Sequence, residues 1–241
     1  MEYKHIKRIE ESEYFGSYLL VDLFNTKTCT FNCIYCRAGL TINQIPQRVY
    51  IYPIEKILKE IEHSIENNGK IDYVKYSHRG DPTLYVLFGS LNKKIKEIYP
   101  EIKIVSCTNC SMLYREDIFN ELKELNHVIA SLDSVLDNDF QKINQPIKTI
   151  HLDILLKNLL KFREEFFGEF WINTTLVKGF NDSQKSLIAL KKYLVDLNPE
   201  KLLITFESIN AENYFSDESK TYIEELFSDV SFQTQIGADR P

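Results

Sequence analysis

The sequence contains no apolar run that approaches the ~20 residues needed for a membrane-spanning helix. Its first residues, MEYKHIKRIEESEYFGSYLLVDL, include no short apolar block followed by small residues, so no signal peptide is predicted. We therefore expect a cytoplasmic protein. Eight Gly and seven Pro in 241 residues, without any low-complexity segment, argue against disorder and against a flexible linker between domains.

A basic face of the kind that nucleic-acid binders carry is also missing from the sequence. The net charge is −6, and the charged residues are interleaved, as in EKILKEIEHSIE. This pattern is typical of solvated helix surface. Neither a membrane nor a nucleic acid is therefore the expected partner, although folding could still gather scattered lysines on one face.

Cysteine is scarce, but its placement is uneven. The chain has five cysteines, and Cys29, Cys33 and Cys36 fall within the eight residues CTFNCIYC. An odd number with three crowded together does not fit a disulfide framework. Three thiolates on one loop can hold three irons of a four-iron cube and leave the fourth iron open. The alternative is zinc on Cys33, Cys36, Cys107 and Cys110, which would leave Cys29 unused and span an unusually long gap.

Short apolar runs alternate with segments of helical period along the chain. The predicted strands are residues 18–24, 73–78, 102–108, 127–133, 170–177 and 202–208, and the predicted helices are residues 53–67, 84–99, 115–125, 150–165 and 183–197. This alternation predicts an α/β fold with a parallel sheet of right-handed βαβ units, here a partial (β/α)6 TIM-like barrel in a single domain. We assign residues 1–17 to an N-terminal extension, 18–208 to the core, and 209–241 to a C-terminal helix with a possible extra strand.

The stretch CTFNCIYC has the form C-x-x-x-C-x-aromatic-C and resembles the signature of the radical S-adenosylmethionine superfamily. Further stretches, VDLFNTKTCTFNCIYCRAGLT, YSHRGDPTLY, TNCSML, SLDS, INQP and LVKGFND, occur in an order similar to that in a group of uncharacterised iron–sulfur oxidoreductases of that superfamily. That group is related to the wybutosine-synthesis enzymes that modify tRNA. The resemblance covers roughly residues 21–182 and implies a radical SAM core with a [4Fe-4S] cluster and S-adenosylmethionine as cofactors.

The resemblance also implies which side chains build the site. The implied cluster ligands are Cys29, Cys33 and Cys36, and the implied cofactor-binding residues are Tyr35, Gly80, Asp81, Ser131, Asp133 and Asn173. The tyrosine is expected beside the adenine, and the Gly-Asp turn at the methionine ammonium. The other three residues are expected to reach the ribose and the methionine carboxylate. No catalytic side chain is predicted beyond these.

The sequence departs from the family pattern at three places. His78 and Arg79 stand where the family has small residues, Asp81 stands where it has a longer acid, and Cys110 stands where it has glycine. The first two are expected at the mouth of the site, and together the departures predict an altered substrate pocket. Cys107 and Cys110 are interpreted as buried structural residues, with a thiol that meets the substrate, or a second metal site, left open.

The reaction implied by the resemblance starts with an electron from a flavodoxin or ferredoxin. S-adenosylmethionine then splits into methionine and a 5′-deoxyadenosyl radical, which takes a hydrogen atom from an unidentified substrate. Three alternatives stay open: an enzyme that modifies a tRNA base, an enzyme that activates a glycyl-radical protein or acts on a small molecule, and a non-catalytic iron–sulfur redox or partner-binding protein. The last is motivated by the altered HRGDP turn.

Overall fold

The structure is a computed structural model that describes residues 4–77, 79–209 and 214–237, apart from the side chain of Arg8. His78 lies outside the described residues. The strands are β1 Ile6–Ser12, β2 Gly16–Val21, β3 Thr28–Cys29, β4 Asn43–Gln44, β5 Tyr73–Tyr76, β6 Lys103–Thr108, β7 His127–Ser131, β8 Glu169–Val177, β9 Lys201–Glu207 and β10 Gln233–Ile236. The helices are α1 Ile54–Asn68, α2 Phe88–Ile98, α3 Glu116–Lys123, α4 Asp137–Asn144, α5 Leu152–Glu165, α6 Gln184–Leu197 and α7 Asp217–Leu226. Within the described ranges, no helix has the length and apolar character that a membrane crossing demands.

Eight of the strands form one sheet in the order β1-β2-β5-β6-β7-β8-β9-β10. β1 and β2 are antiparallel, and all other neighbours in this sheet are parallel. The sheet curls, because Gln235 of β10 donates a hydrogen bond to Glu13 in the turn between β1 and β2, at 3.3 Å. The predicted partial α/β barrel is confirmed, with β2 and β5 to β9 as its six strands.

The parallel strands bury both of their faces, which explains their nearly continuous apolar sequences. The outer face packs against the helices in the main core, to which Val21, Val74 and Ile104 belong. The inner face carries a second apolar cluster, made of Phe15, Tyr18, Leu20, Val105 and Ile129. The barrel interior is therefore lined by an apolar wall at depth.

Strand β1 was not predicted from the sequence. Its start is fixed by Glu60 of α1, whose carboxylate accepts hydrogen bonds from the backbone N–H groups of Lys4, His5 and Ile6 at 2.7–3.0 Å. These partners lie 54 to 56 residues from Glu60 in the chain. A pattern of local residues cannot reveal such an anchor.

Candidate active site

A cavity of about 350 Å³ lies at the ends of the parallel strands. This volume falls within the roughly 300–1,000 Å³ range of small-molecule sites. Eight of the nine predicted site residues line it, namely Cys29, Cys33, Tyr35, Cys36, Gly80, Asp81, Ser131 and Asn173. The loop after β2 and the ends of β5, β7 and β8 therefore meet at one site, as expected for a parallel sheet.

The cysteine loop follows β2 and is held by backbone pairing on two sides. Within the loop, β3 and β4 form a short parallel pair. Thr28 also bridges to Gly80, in the loop after β5. On the other side, the N–H of Ile34 donates to the carbonyl of Ile143 in the last turn of α4, at 2.9 Å. The three cysteines are thus presented by a supported backbone.

Gly80 is required by the close approach of the cysteine loop. Its φ angle is +130°, and a Cβ atom at this position would lie 2.0 Å from the carbonyl oxygen of Thr28. The same oxygen accepts a hydrogen bond from the N–H of Asp81 at 3.0 Å. A side chain at position 80 would therefore push the backbone next to Cys29.

Two asparagine amides point at cysteine sulfurs. Asn109, directly after β6, places its Nδ2 3.3 Å from the Sγ of Cys29. Asn144, the last residue of α4, places its Nδ2 3.4 Å from the Sγ of Cys33. N–H donors to sulfur stabilise thiolates and tune bound clusters. Neither asparagine was assigned a role from the sequence, although TNCSML and INQP contain them.

The thiols are held in an environment that disfavours their ionised form when no metal is bound. Burial raises the pKa of Cys29 to about 12, and the negative charge of Asp81 adds to the rise. Burial also raises the pKa of Cys33, with a further contribution from Asp133. Because metals bind thiolates, ligation at this site would have to release protons.

The carboxylate of Asp81 is buried and surrounded by donors from the protein. Oδ1 accepts from the N–H of Thr83 at 3.0 Å and from its hydroxyl at 2.6 Å. Oδ2 accepts from the hydroxyl of Thr108 at 2.9 Å and from the N–H of Asn109 at 2.8 Å. Burial raises the pKa of Asp81, whereas these hydrogen bonds lower it. The predicted contact with a methionine ammonium stays a prediction, and it would have to compete with these four donors.

Asp133 supports the site from behind. The hydroxyl of Tyr35 and the Nδ2 of Asn144 both donate to its Oδ2 at 2.5 Å. The N–H of Thr175 donates to its Oδ1 at 2.8 Å. Asp133 therefore orients Tyr35 and Asn144, and it is the one predicted cofactor-binding residue that is not part of the cavity wall.

Asn173 is an orphaned polar group in the cavity wall. It pairs in register with Ser131 on the neighbouring strand, and its side chain is 8% exposed. Its Oδ1 atom has no hydrogen-bond partner among the described residues. Because a buried acceptor without a partner is costly, this atom is suited to bind a ligand donor.

Arg79 does not stand at the mouth of the cavity, so that expectation is corrected. Its Nε donates to the buried carboxylate of Asp22 at 2.6 Å, and its Nη1 donates to the carbonyl of Asn25 at 2.9 Å. Both partners precede the cysteines on the same loop. The guanidinium therefore braces this loop, since Arg matches a carboxylate and a carbonyl at once.

Cys107 and Cys110 lie in different surroundings. Cys107 lines the main cavity, whereas Cys110 is buried beside a second cavity of about 280 Å³. The φ angle of Cys110 is +56°, a conformation that favours glycine, which accounts for the glycine expected at this position in the family.

The zinc alternative lacks a convergent set of ligands. In the part of the chain that the structure describes, no group of three or more His, Cys, Asp or Glu side chains is arranged to hold one metal ion. Zinc needs four ligands around one point. A four-iron cube bonds each thiolate to a different iron, so its ligands need not converge.

The comparison with protein families agrees with this site. The family model of the radical SAM superfamily matches residues 25–190, which include all three cysteines of the motif. The chain belongs to the radical SAM superfamily. The family resemblance inferred from the sequence is thereby confirmed.

Two relatives are similar in sequence over most of the chain. A UPF0026 protein of Methanocaldococcus jannaschii is 33% identical over 193 residues, covering 79% of this chain and 59% of that protein. A protein of Brachyspira hyodysenteriae named GTPase Obg is 33% identical over 202 residues, covering 84% of this chain. The chain spans only 30% of that second relative.

Solved radical SAM structures share the fold. SuiB of Streptococcus suis bound to S-adenosylmethionine superposes with a TM-score of 0.65 at 14% identity, covering 91% of this chain and 50% of that one. Archaeal TYW1 superposes with a TM-score of 0.55 at 16% identity, covering 89% of this chain and 72% of that one. At these identities the likeness concerns the fold alone.

Proposed function

We propose that this protein is a radical SAM enzyme. In this proposal Cys29, Cys33 and Cys36 hold a [4Fe-4S] cluster, and S-adenosylmethionine binds beside it in the main cavity. The observation that carries the proposal is the convergence of all three thiols on one cavity at the ends of the parallel strands. Of the other two cysteines, Cys107 lines the same cavity from β6, outside the loop that carries the motif.

The residues present fit these cofactors. Asn109 and Asn144 supply N–H donors to two of the three sulfurs, which suits cluster-bound thiolates. The orphaned Oδ1 of Asn173 supplies an acceptor for a cofactor hydroxyl or ammonium, next to Ser131. Tyr35 is oriented by Asp133 at the cavity wall, where a flat base can pack against its ring.

When bound, the cluster supplies one electron that splits S-adenosylmethionine into methionine and a 5′-deoxyadenosyl radical, which takes a hydrogen atom from the substrate. The protein must hold the cofactor in one orientation and keep bulk water from the reacting atoms. Asp81 acts in this scheme by holding the loops after β5 and β6 together at the cavity. The apolar inner wall around Ile129 limits water at depth.

The partner and location follow from the same proposal. A flavodoxin or ferredoxin would deliver the electron, and such donors fit a cytoplasmic protein. The altered HRGDP turn does not favour the non-catalytic alternative, because Arg79 and Asp81 both have structural roles there. The tRNA-modifying alternative gains no support from the acidic composition.

The test is anaerobic iron–sulfur reconstitution, followed by dithionite and S-adenosylmethionine. We expect four irons and sulfides per chain and the formation of 5′-deoxyadenosine and methionine. Cys33→Ala is the matched control and should yield neither. A full cluster without any 5′-deoxyadenosine would reject catalysis, and unperturbed electron-spin spectra on cofactor addition would support the non-catalytic alternative.

A further inference from the structure

The inner end of the main cavity is walled by side chains that have no role in the proposed cofactor site. Lys75 on β5 and Cys107 on β6 line it together with Ile129 on β7. Ile129 precedes Ser131 by two positions, so it lies on the same face, about 6–7 Å deeper in the barrel. In register, Cys107 pairs with Ile129. These residues therefore form a lower layer beneath the predicted cofactor contacts.

Lys75 is the unusual member of this layer. Its side chain is 4% exposed, although lysine is rarely buried. Its Nζ lies 4.6 Å from the ring centre of Tyr18 and 5.3 Å from that of Phe15. These aromatic faces stabilise the ammonium. Because Lys75 also lines the cavity, its positive charge acts on whatever enters the inner end.

The other charged groups around the inner end leave this cation dominant. Glu10 also lines the cavity, and its carboxylate accepts a hydrogen bond from the hydroxyl of Tyr18. His127 lies nearby, and burial, then the charges of Lys75 and Lys103, lowers its pKa to about 3, so it is neutral. Within the described part of the chain, Arg37 is the only other basic residue in the cavity wall, on the cysteine loop.

We infer that the inner end of the cavity is the substrate subsite, and that it takes a small molecule with a carboxylate or phosphate group, bound by Lys75. The inference rests on the proposed function, which places the cofactors at the outer end. Lysine is a compact point charge that binds either anion. The cavity of about 350 Å³ also has to accommodate the cofactor, which restricts the substrate to a small molecule.

Cys107 provides a built-in probe of this subsite, because its thiol is half-buried and lines the same cavity. Cluster-loaded protein without S-adenosylmethionine is treated anaerobically with iodoacetate, an anion, or iodoacetamide, its neutral counterpart. Mass spectrometry of the Cys107 peptide gives the rate ratio of the two reagents, normalised to glutathione. Because one unit charge acts over a few ångströms at low effective dielectric, we expect a ratio about 10-fold above that of glutathione.

Substitutions then assign the preference to its source. Lys75→Met removes the charge at similar volume and should return the ratio to that of glutathione, whereas Lys75→Arg should keep it. Glu10→Gln removes the opposing charge and should raise the ratio. A wild-type ratio equal to that of glutathione, or an unchanged ratio in Lys75→Met, overturns the inference.

Protection of the wild type gives a second readout that needs no variant, should Lys75→Met fail to fold. Inorganic phosphate and acetate should each slow the reaction of Cys107 with iodoacetamide. Stronger protection by phosphate indicates a phosphorylated substrate, stronger protection by acetate indicates a carboxylate, and no protection by either contradicts the subsite. These readouts do not require cofactor cleavage, so their failure is distinguishable from failure to form 5′-deoxyadenosine.

Discussion

Asp81→Asn tests whether this carboxylate is a brace of the site or a direct cofactor ligand. The carboxylate is 3% exposed and accepts from two backbone N–H groups, that of Thr83 at 3.0 Å on Oδ1 and that of Asn109 at 2.8 Å on Oδ2. Asparagine keeps the shape but turns one oxygen into an NH2 group. Whichever way the amide is turned, this donor therefore faces a backbone donor.

The free energy of unfolding should fall by about 2–4 kcal/mol. A lost hydrogen bond to a charged acceptor costs about 1.5–3 kcal/mol, and a buried N–H left unpaired costs about 1–3 kcal/mol. Part of this loss is recovered, because burial raises the pKa of Asp81 and the neutral amide avoids that cost. For a chain of this size the expected decrease in Tm is roughly 5–15 °C.

Thermal and urea unfolding of the cluster-loaded variant measure this effect anaerobically. The matched control is Asp153→Asn, an exposed acid in the first turn of α5, which should change stability by less than about 0.5 kcal/mol. If Asp81→Asn behaves like this control, the brace is refuted. Unchanged stability with cofactor affinity reduced ~10- to 100-fold would instead support the predicted contact with the methionine ammonium.

Three further substitutions test other parts of the site and the core. Gly80→Ala should lower iron content per chain, because its Cβ would lie 2.0 Å from the carbonyl oxygen of Thr28; full iron content would contradict this. Cys33→Ala should leave a folded chain without a stable cluster, whereas Cys107→Ser should retain iron and sulfide; the reverse result would exchange their roles. His127, whose pKa burial lowers to about 3, stays neutral in the native state, while the unfolded chain binds a proton below about pH 6.5. Wild-type stability to urea should therefore fall by about 2 kcal/mol from pH 7 to pH 5 through this residue, and His127→Phe should lack that decrease.

The parallel core of the fold could be predicted because burial on both faces leaves a local signature. β6, with the sequence KIVSCT, reads as one apolar run, and so do its neighbours. Strand β1, with the sequence IKRIEES, lies at the edge of the sheet and carries charges that hide it. Helix α4, DNDFQKIN, was missed because it is mostly polar; its buried Asp139 is satisfied by the hydroxyl of Ser186 at 2.6 Å.

The cluster ligands could be predicted because their spacing on one loop is itself the signal. The amide donors could not, since Asn109 lies 80 residues from Cys29 and Asn144 lies 111 residues from Cys33. Only the folded sheet brings those pairs together. The same reason hides the role of Arg79, whose partner Asp22 lies 57 residues away.

The departures from the family pattern point to a different place for substrate specificity than the sequence suggested. Arg79 is engaged by Asp22, and Asp81 by Thr83, so these two residues support the loops rather than select a substrate. Cys110 occupies a left-handed position beside the second cavity, outside the main site. Selection must therefore come from residues that line the main cavity below the cofactor contacts. Lys75 is the cation of that layer, and an anionic substrate group is the chemistry it can recognise.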